Sequence, residues 1–246
     1  MKTFRTAEIA GMTGIHPNTV RFYEEQALLP PIPRMENGYR IFSEKHLLQL
    51  RLIRSAFKAE ILNNNLRCEV IAIVKTAAAG NLDGAIHKTA QYQTHIRNEI
   101  AKAREAVRIT GDLLSGVYKS GKDTAPIGRR EAAAQIGVSM DVLRDWERNG
   151  LLSVPRKGNR RLYGSGEINR MMIISVLRNA GYSQMAIRRM LVRVTQGETD
   201  LLATLNTPEE TEDIISVADR YITSLSDALQ DTGRMLRILE IMKQKK

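Results

Sequence analysis

The sequence predicts a mainly α-helical protein in which one unit is written twice, a winged helix-turn-helix followed by a long coiled-coil helix, with the two long helices packed antiparallel. Three observations predict it. The run TVRFYEEQALLPPIPRMENGYRIF at residues 19–42 returns 123 residues later as VLRDWERNGLLSVPRKGNRRLY at residues 142–163. Each copy is trailed by a heptad repeat of apolar and small residues. Aromatics make up only 5% of the chain, and Leu, Ile, Ala and Met supply most of its apolar content, a helical bias.

The repeat registers without gaps through its first half. Thr6-Ala-Glu8-Ile-Ala10 aligns with Arg129-Arg-Glu131-Ala-Ala133, Gly14-Ile15 with Gly137-Val138, Tyr23-Glu24 with Trp146-Glu147, and Leu28-Leu29 with Leu151-Leu152. A two-residue deletion follows, after which Arg40-Ile41-Phe42 aligns with Arg161-Leu162-Tyr163. An internal repeat of this length sets the architecture before any local reading does.

Each copy reads as a short helix, a tight turn and a second helix. The first helix spans about Ala7–Thr13, with Thr6 as its N-cap, and Gly14 suits the left-handed position past its end. Pro17 fits the first turn of the next helix, where its missing N–H costs nothing. In the second copy Gly137 takes the turn and Ser139 the cap. Two helices joined by such a glycine turn make a helix-turn-helix. After each second helix come Leu-Leu, a proline, basic residues and Gly or Asn, and then Ile41-Phe42 or Leu162-Tyr163 as a short strand. That is a wing. A further helical pair starts near Ser43 and near Ser165, with Gly181-Tyr182-Ser183 as break and cap in the second copy and an insertion at Asn63-Asn64-Asn65 in the first.

The long helices close each copy. Over Asp83–Tyr118, Ile86, Gln93, Ile100, Val107 and Leu114 recur every seven residues, with Thr89, Ile96, Ala103, Thr110 and Val117 three places on. Thr207-Pro208-Glu209-Glu210 reads as a capping box, after which Ile214, Tyr221, Ala228, Met235 and Met242 keep the heptad with Ala218, Leu225, Thr232 and Leu239. Each helix is about 50 Å long at about 1.5 Å per residue. The expected organisation is a first winged domain at 1–80, a coil helix at 81–119, a polar linker at 120–127, a second, diverged winged domain at 128–196 and a second coil helix at 207–246.

Charge points to a polyanionic partner. The formal net charge is +10, and it sits in the copies: residues 126–196 hold 13 Lys and Arg against 5 Asp and Glu, while residues 197–246 hold 6 against 10. Membrane-surface binding would favour one basic amphipathic helix, which is missing, and no run approaches the length of a membrane span. Nucleic acid fits better, and the absence of an apolar leader predicts a cytoplasmic protein.

In a winged helix-turn-helix the second helix enters the major groove and the wing grips backbone or minor groove. The candidates in the first copy are His16, Asn18, Thr19, Arg21 and Tyr23, with wing residues Arg34, Asn37, Tyr39 and Arg40. In the second they are Asp141, Arg144 and Trp146, with Arg156, Lys157, Asn159, Arg160 and Arg161. For a single arginine the competing reading is a solvated helix face. For Tyr23 and Trp146 it is a core aromatic anchoring the wing, and Phe42 and Tyr163 read as core. His16 reads as a cap or a phosphate contact.

The stretch TAEIAGMTGIHPNTVRFYEEQALLPPIPRMENGYRIFS resembles the DNA-binding domain of the MerR family of bacterial regulators, whose pattern is R-Y-Y/W-E, then G-L-L-x-P-x-R and G-Y-R-x-Y. The likeness extends over residues 1–118, and a diverged second copy covers 126–243. The two copies leave no room for the C-terminal effector domain that many members carry. The resemblance implies a transcription regulator that binds pseudo-palindromic promoter DNA as a dimer, held by antiparallel long helices. Bending and untwisting that DNA aligns the promoter elements for RNA polymerase. Here one chain already holds two heads and two coil helices, which suggests a monomeric pseudo-dimer on an imperfect palindrome rather than a homodimer. The second copy departs from the family: Asp145 stands where the first has Phe22, Arg160 replaces the wing Tyr, and Ser153-Val154 displaces the first prolines.

Other chemistry finds little support. One cysteine, Cys68, allows neither a disulfide nor a thiolate cluster, and His87 and His95 lack a third ligand, so no metal is expected. Gly164-Ser-Gly166 has neither strand nor lysine to make a phosphate loop. No catalytic constellation and no cofactor are expected. The remaining alternatives are an architectural or recombination-accessory DNA-bending protein, and a regulator sensing a small-molecule effector in a pocket between coil and heads.

Overall fold

The computed structural model describes residues 2–58, 64–115, 125–158, 160–207 and 220–245. The first copy runs β1 (Thr3–Phe4), α1 (Thr6–Thr13), α2 (Pro17–Glu25), β2 (Phe42–Ser43), α3 (Glu44–Ala56) and α4 (Asn64–Ala78), and continues into the long α5 (Leu82–Leu114). The second runs β3 (Ile127–Gly128), α6 (Arg129–Ile136), α7 (Met140–Arg148), β4 (Arg156–Lys157), β5 (Arg160–Tyr163), α8 (Ser165–Asn179) and α9 (Gln184–Thr195). The short α10 (Leu201–Asn206) and the long α11 (Tyr221–Gln244) follow. The helical fold class with two helix-turn-helix regions is as expected.

The turns form for the reasons read from the sequence. Gly14 and Gly137 take left-handed φ of 63° and 74°, and the residue after each donates its N–H to Ala10 and Ala133. Pro17 opens α2, and Ser139 and Ser183 cap α7 and α9 by accepting the N–H of Val142 and Ala186. The cap of α1 differs. Thr6 is its first helical residue, and Glu8 Oε2 accepts the Arg5 N–H at 2.7 Å. The carboxylate reaches back three residues, which moves the boundary one place upstream.

The wing sheets carry one strand more than expected in the first copy and two more in the second. β1 pairs antiparallel with β2 in the first copy, and β3 with β5 in the second, where β4 completes a three-stranded sheet. Strands of two residues leave no alternation to read, which is why β1 and β3 escape the sequence.

Contacts divide the chain into two compact units, Met1–Asn98 with Ser224–Lys246, and Glu99–Thr223. They do not follow the two copies, because α5 is divided and most of α11 belongs with the first head. In the first unit the core includes Ile9, Val20, Leu28, Phe42, Leu50 and Ile53. Along α5 the fully buried row is Ala85, Thr89, Tyr92 and Ile96, whereas Ile86 and Gln93 are half-buried. The seam therefore lies one residue before one of the expected heptad rows, and Leu114 is 39% exposed. On α11 the expected Leu225, Ala228, Thr232, Met235, Leu239 and Met242 are buried. Gln93 Nε2 donates to Thr232 Oγ1 at 2.9 Å, and Lys243 pairs with Asp83. Of the predicted capping box Thr207 is described and follows α10, while Pro208–Glu210, the seam residues Val117, Ile214 and Ala218, and most of the linker lie outside the described residues.

The second unit packs Leu143, Trp146, Tyr163, Ile174, Tyr182 and Met190 into one core with Ala103 and Ala106 of α5. Asp200 caps α10, accepting the Ala203 N–H at 2.9 Å, and the buried Arg189 donates from Nε to the Thr204 carbonyl at 3.0 Å. A helix of six residues is too short for hydrophobic period to announce it.

The first turns of α3 and α8 differ in a way that pH will reveal. Glu167 accepts the Gly164 N–H at 2.9 Å, and at the matching place His46 Nδ1 accepts the Ser43 N–H at 3.0 Å while Nε2 donates to the Pro31 carbonyl at 3.2 Å. Only the neutral imidazole satisfies both. Burial, with Lys45 adding to it, pushes the His46 pKa below its usual value against the opposing pull of the Pro31 carbonyl. A depressed folded-state pKa contributes stability that is complete above the unfolded value of about 6.5 and is lost as pH falls toward the folded one. The first unit is therefore expected to lose stability between pH 7 and pH 5, and His46→Gln to remove that part of the loss. Urea unfolding followed by circular dichroism at both pH values checks this; equal pH dependence in the two proteins would sink it.

Candidate nucleic-acid interface

In the first head Val20 is the buried anchor of α2, with Thr19, Tyr23 and Glu24 half-buried beside it. The other side of the helix exposes Asn18, Arg21, Phe22 and Glu25, spaced i, i+3, i+4 and i+7, so they form one stripe. His16 Nδ1 caps that stripe by accepting the Asn18 N–H at 3.2 Å. Arg21 Nη1 donates to Asn18 Oδ1 at 3.1 Å, a neutral partner that leaves the guanidinium its full charge. Phe22, 52% exposed, was missed by the sequence reading, although its i+4 spacing from Asn18 could have found it. Tyr23 is half-buried, and burial raises its phenol, which favours the anchoring reading.

The wing of the first head is a tight hairpin. Arg34 and Arg40 face each other across it, Met35 N–H donates to the Tyr39 carbonyl at 2.8 Å, and Asn37 Oδ1 accepts the Tyr39 N–H at 3.3 Å. Gly38 supplies the left-handed residue at φ 82°. Tyr39 stands 61% exposed at the tip with the Arg5 guanidinium 5.8 Å from its ring centre. Arg40 is engaged: its Nε donates to Glu24 Oε2 at 2.6 Å, and Arg34 approaches the same carboxylate at 3.7 Å. Asn37 shapes the turn and Arg40 ties the wing to α2.

The second head repeats this tie more tightly. The Glu147 side chain, 7% exposed, meets Arg129 Nη2 at 2.9 Å and Arg161 Nη1 at 2.8 Å, and accepts the Tyr163 hydroxyl at 2.5 Å. Arg129 Nε also donates to the Tyr163 oxygen at 3.2 Å. Burial, followed by the bond to Glu147, raises the Tyr163 phenol. Glu24 and Glu147 occupy matching positions, as do Arg40 and Arg161, so each carboxylate locks its own wing onto the second helix of its own helix-turn-helix. The sequence displayed both glutamates in register; the chemistry they share became visible only with their partners.

On α7 the matching stripe is Asp141, Arg144, Asp145 and Arg148. Here each arginine is held by a carboxylate: Arg144 by Asp141 at 2.5 Å and Arg148 by Asp145 at 2.8 Å. Gln184 Nε2 donates to Asp145 Oδ2 at 2.8 Å, while Gln184 Oε1 accepts from Asn149 Nδ2 at 2.8 Å. The Gln184 bond first, then that from Arg148, holds the Asp145 carboxyl below the usual carboxylate range. Trp146 corrects an expectation. It is 3% exposed in the core of the second unit, because its position faces Leu143 and not the stripe, so its ring has no face to offer a phosphate. Arg156 and Arg160 are exposed on the wing strands, and their side chains have no hydrogen bond or ion pair among the described residues. The Lys157 side chain and Asn159 lie outside the described residues.

Two outward stripes thus sit on matched helices with different chemistry: one offers an amide, a guanidinium, an aromatic ring and the Glu25 carboxylate, the other alternates carboxylates and guanidinium groups. Among the described residues no group of three or more His, Cys, Asp or Glu could hold a metal ion, and Cys68 is exposed on α4.

A family model described as MerR HTH family regulatory protein matches the chain twice, at residues 4–65 and 130–193. The HTH-type transcriptional regulator CueR of Yersinia pestis is 32% identical over 95 residues, an alignment covering 37% of this chain and 68% of that protein. CueR of Salmonella typhi is 46% identical over 50 residues, 20% of this chain and 36% of the relative. ZntR of Escherichia coli K12 is 38% identical over 53 residues, 22% of this chain and 38% of the relative. The last two alignments therefore span little more than a third of the proteins matched. Among solved structures, the crystal structure of HiNmlR, a MerR family regulator lacking the sensor domain, bound to promoter DNA, aligns with a TM-score of 0.32 at 21% identity, covering 57% of this chain and 99% of that one.

Proposed function

Because the chain belongs to the MerR family of helix-turn-helix regulatory proteins, we propose that it binds double-stranded promoter DNA with both heads as a single-chain pseudo-dimer. The observation that carries this reading is the doubling itself: the family model matches twice in one chain, and each match presents a stripe on its second helix. The long helices pair antiparallel in this reading. Gln93 meets Thr232 while Asp83 meets Lys243, so residue numbers rise on one helix as they fall on the other, which supports it. Two unequal heads bind an imperfect palindrome, and the promoter DNA between them is bent or untwisted for RNA polymerase. Sequence-dependent deformability then adds to specificity.

Arg21 with Asn18 suits direct reading of base edges in the first half-site. In the second, Asp141 repels phosphate and occupies Arg144, so Arg156 and Arg160 on the wing, unpaired among the described residues, contribute backbone grip with less sequence reading. No helix among the described residues is long and apolar enough to cross a membrane, and a cytoplasmic, nucleoid-bound protein accords with that.

Light scattering after size exclusion is the test. A mass near 27.7 kDa without DNA is expected; a stable species of twice that mass would replace the pseudo-dimer with coils paired between chains and four heads. Footprinting separates regulator from architectural protein, since a regulator protects the spacer between promoter elements and an architectural protein does not.

A further inference from the structure

The first unit contains a hollow of about 410 Å³ where the end of α1 and α3 meet α11, and four guanidinium groups line it. Arg51 and Arg54 come from α3, Arg234 and Arg237 from α11, each pair spaced i, i+3. Two of the four have structural partners: Arg54 Nη1 donates to the Thr13 carbonyl, and Arg234 pairs with the buried Asp231. The Arg51 and Arg237 side chains have no hydrogen bond or ion pair among the described residues. Four like charges converging on one hollow repel one another, and among the described residues the carboxylate of Asp231 offsets one of them.

The fold does not require this charge. On α8, whose buried Met171 and Ile174 match Leu50 and Ile53, the places of Arg51 and Arg54 are taken by the half-buried Met172 and Ser175. A second hollow in the same unit, about 340 Å³ and rimmed by Lys2, Lys45 and Lys245, differs because Lys245 already pairs with Glu44. Among the described residues, the arginine hollow is the one whose charge is unmatched from within. Its walls also include the apolar Met12 and Ile238, of which Met12 is 47% exposed.

We propose that this hollow binds a free phosphorylated organic molecule of nucleotide size, with its phosphate oxygens on Arg51 and Arg237 and its uncharged part against Met12 and Ile238. Guanidinium forks match phosphate oxygens two at a time and are less strongly hydrated than ammonium groups. The volume falls within the range of small-molecule sites. Arg54 connects the hollow to the helix-turn-helix, because the Thr13 carbonyl it grips ends α1 at the Gly14 turn that aims α2. This gives chemical content to the ligand-sensing alternative and does not depend on DNA binding.

Titration calorimetry on the full chain without DNA tests it, with inorganic pyrophosphate and adenosine triphosphate as probes. Adenosine triphosphate is expected to bind more tightly than pyrophosphate. The double variant Arg51→Ala/Arg237→Ala is expected to weaken it at least tenfold, with a melting temperature no lower than the parent's, because neither side chain has a partner to lose among the described residues and two mutually repelling charges are removed. The wing variant Arg156→Ala/Arg160→Ala is expected to bind the probe as the parent does. Absence of heat from both probes at millimolar concentration overturns the proposal, as does equal binding by the Arg51/Arg237 variant. Phosphates of DNA are the other source of the same oxyanions. If the Arg51/Arg237 variant instead lowers the slope of log affinity against log salt by about 2 while the free probes do not bind, the arginines serve the duplex and the proposal falls.

Discussion

Replacing Glu147 with glutamine is expected to cost the second unit about 2–3 kcal/mol. Removing one partner of a buried ion pair typically costs about 3–5 kcal/mol, because the remaining charge stays desolvated and unmatched. Here the figure is discounted, since the Arg129 and Arg161 side chains are 24% and 34% exposed and solvent takes up part of the loss. The Tyr163 hydroxyl, 2.5 Å from the carboxylate, loses its acceptor charge as well. The chain has a single tryptophan, Trp146, and it lies in the core of this unit, so urea unfolding followed by its fluorescence isolates the effect. Glu24→Gln in the first head is expected to cost about 1 kcal/mol, because Glu24 is 22% exposed and its ties are to Arg40 and, more loosely, Arg34. That change should leave the tryptophan transition where it was. A loss below about 1 kcal/mol for Glu147→Gln would mean that the cluster is solvated in solution.

Arg21→Ala is expected to lower affinity for a selected operator by about 1–3 kcal/mol and to relax specificity at one base position, the effect of removing a guanidinium from a base edge. Arg144→Ala is expected to cost less than about 1 kcal/mol, since Asp141 already holds that guanidinium at 2.5 Å. Asp141→Asn should then tighten binding, because it removes a carboxylate from the groove face and recreates the Asn18–Arg21 pairing in the second head. Selection of bound oligonucleotides, followed by affinity measurements at one fixed salt concentration, reads all three. Equal losses for Arg21→Ala and Arg144→Ala would show the second head reading bases as the first does.

What could be read in advance was whatever depends on neighbours in sequence. Gly14, Pro17, Ser139 and Ser183 do what their backbone chemistry requires, and the two helix-turn-helix regions stand where the repeat put them. What could not be read depends on partners far along the chain. Trp146 occupies the register of Tyr23, yet one is buried and the other half-exposed, because packing around each differs beyond the motif. The α5 seam shifts by one residue in one row because Ala85 and Tyr92, rather than Ile86 and Gln93, are buried alongside Thr89 and Ile96, and both pairs keep the same seven-residue spacing in the sequence. Glu147 appears in the sequence as one letter of a pattern; its role required Arg129, Arg161 and Tyr163 to converge on it. Counting arginines in the second head does not reveal which of them a neighbouring carboxylate holds, as Asp141 holds Arg144 and Asp145 holds Arg148.

The division of the chain also sets an order of birth. The second unit is contiguous, Glu99–Thr223, whereas the first needs residues 224–246 to complete it. At about 5–20 residues per second, roughly 6–25 s separate the synthesis of residue 98 from that of residue 224. Throughout that interval Asp83 and Gln93 wait for Lys243 and Thr232. The head made first on the ribosome is therefore the one finished last, and a nascent chain stalled at residue 223, one turn into α11, carries a complete second unit beside an incomplete first.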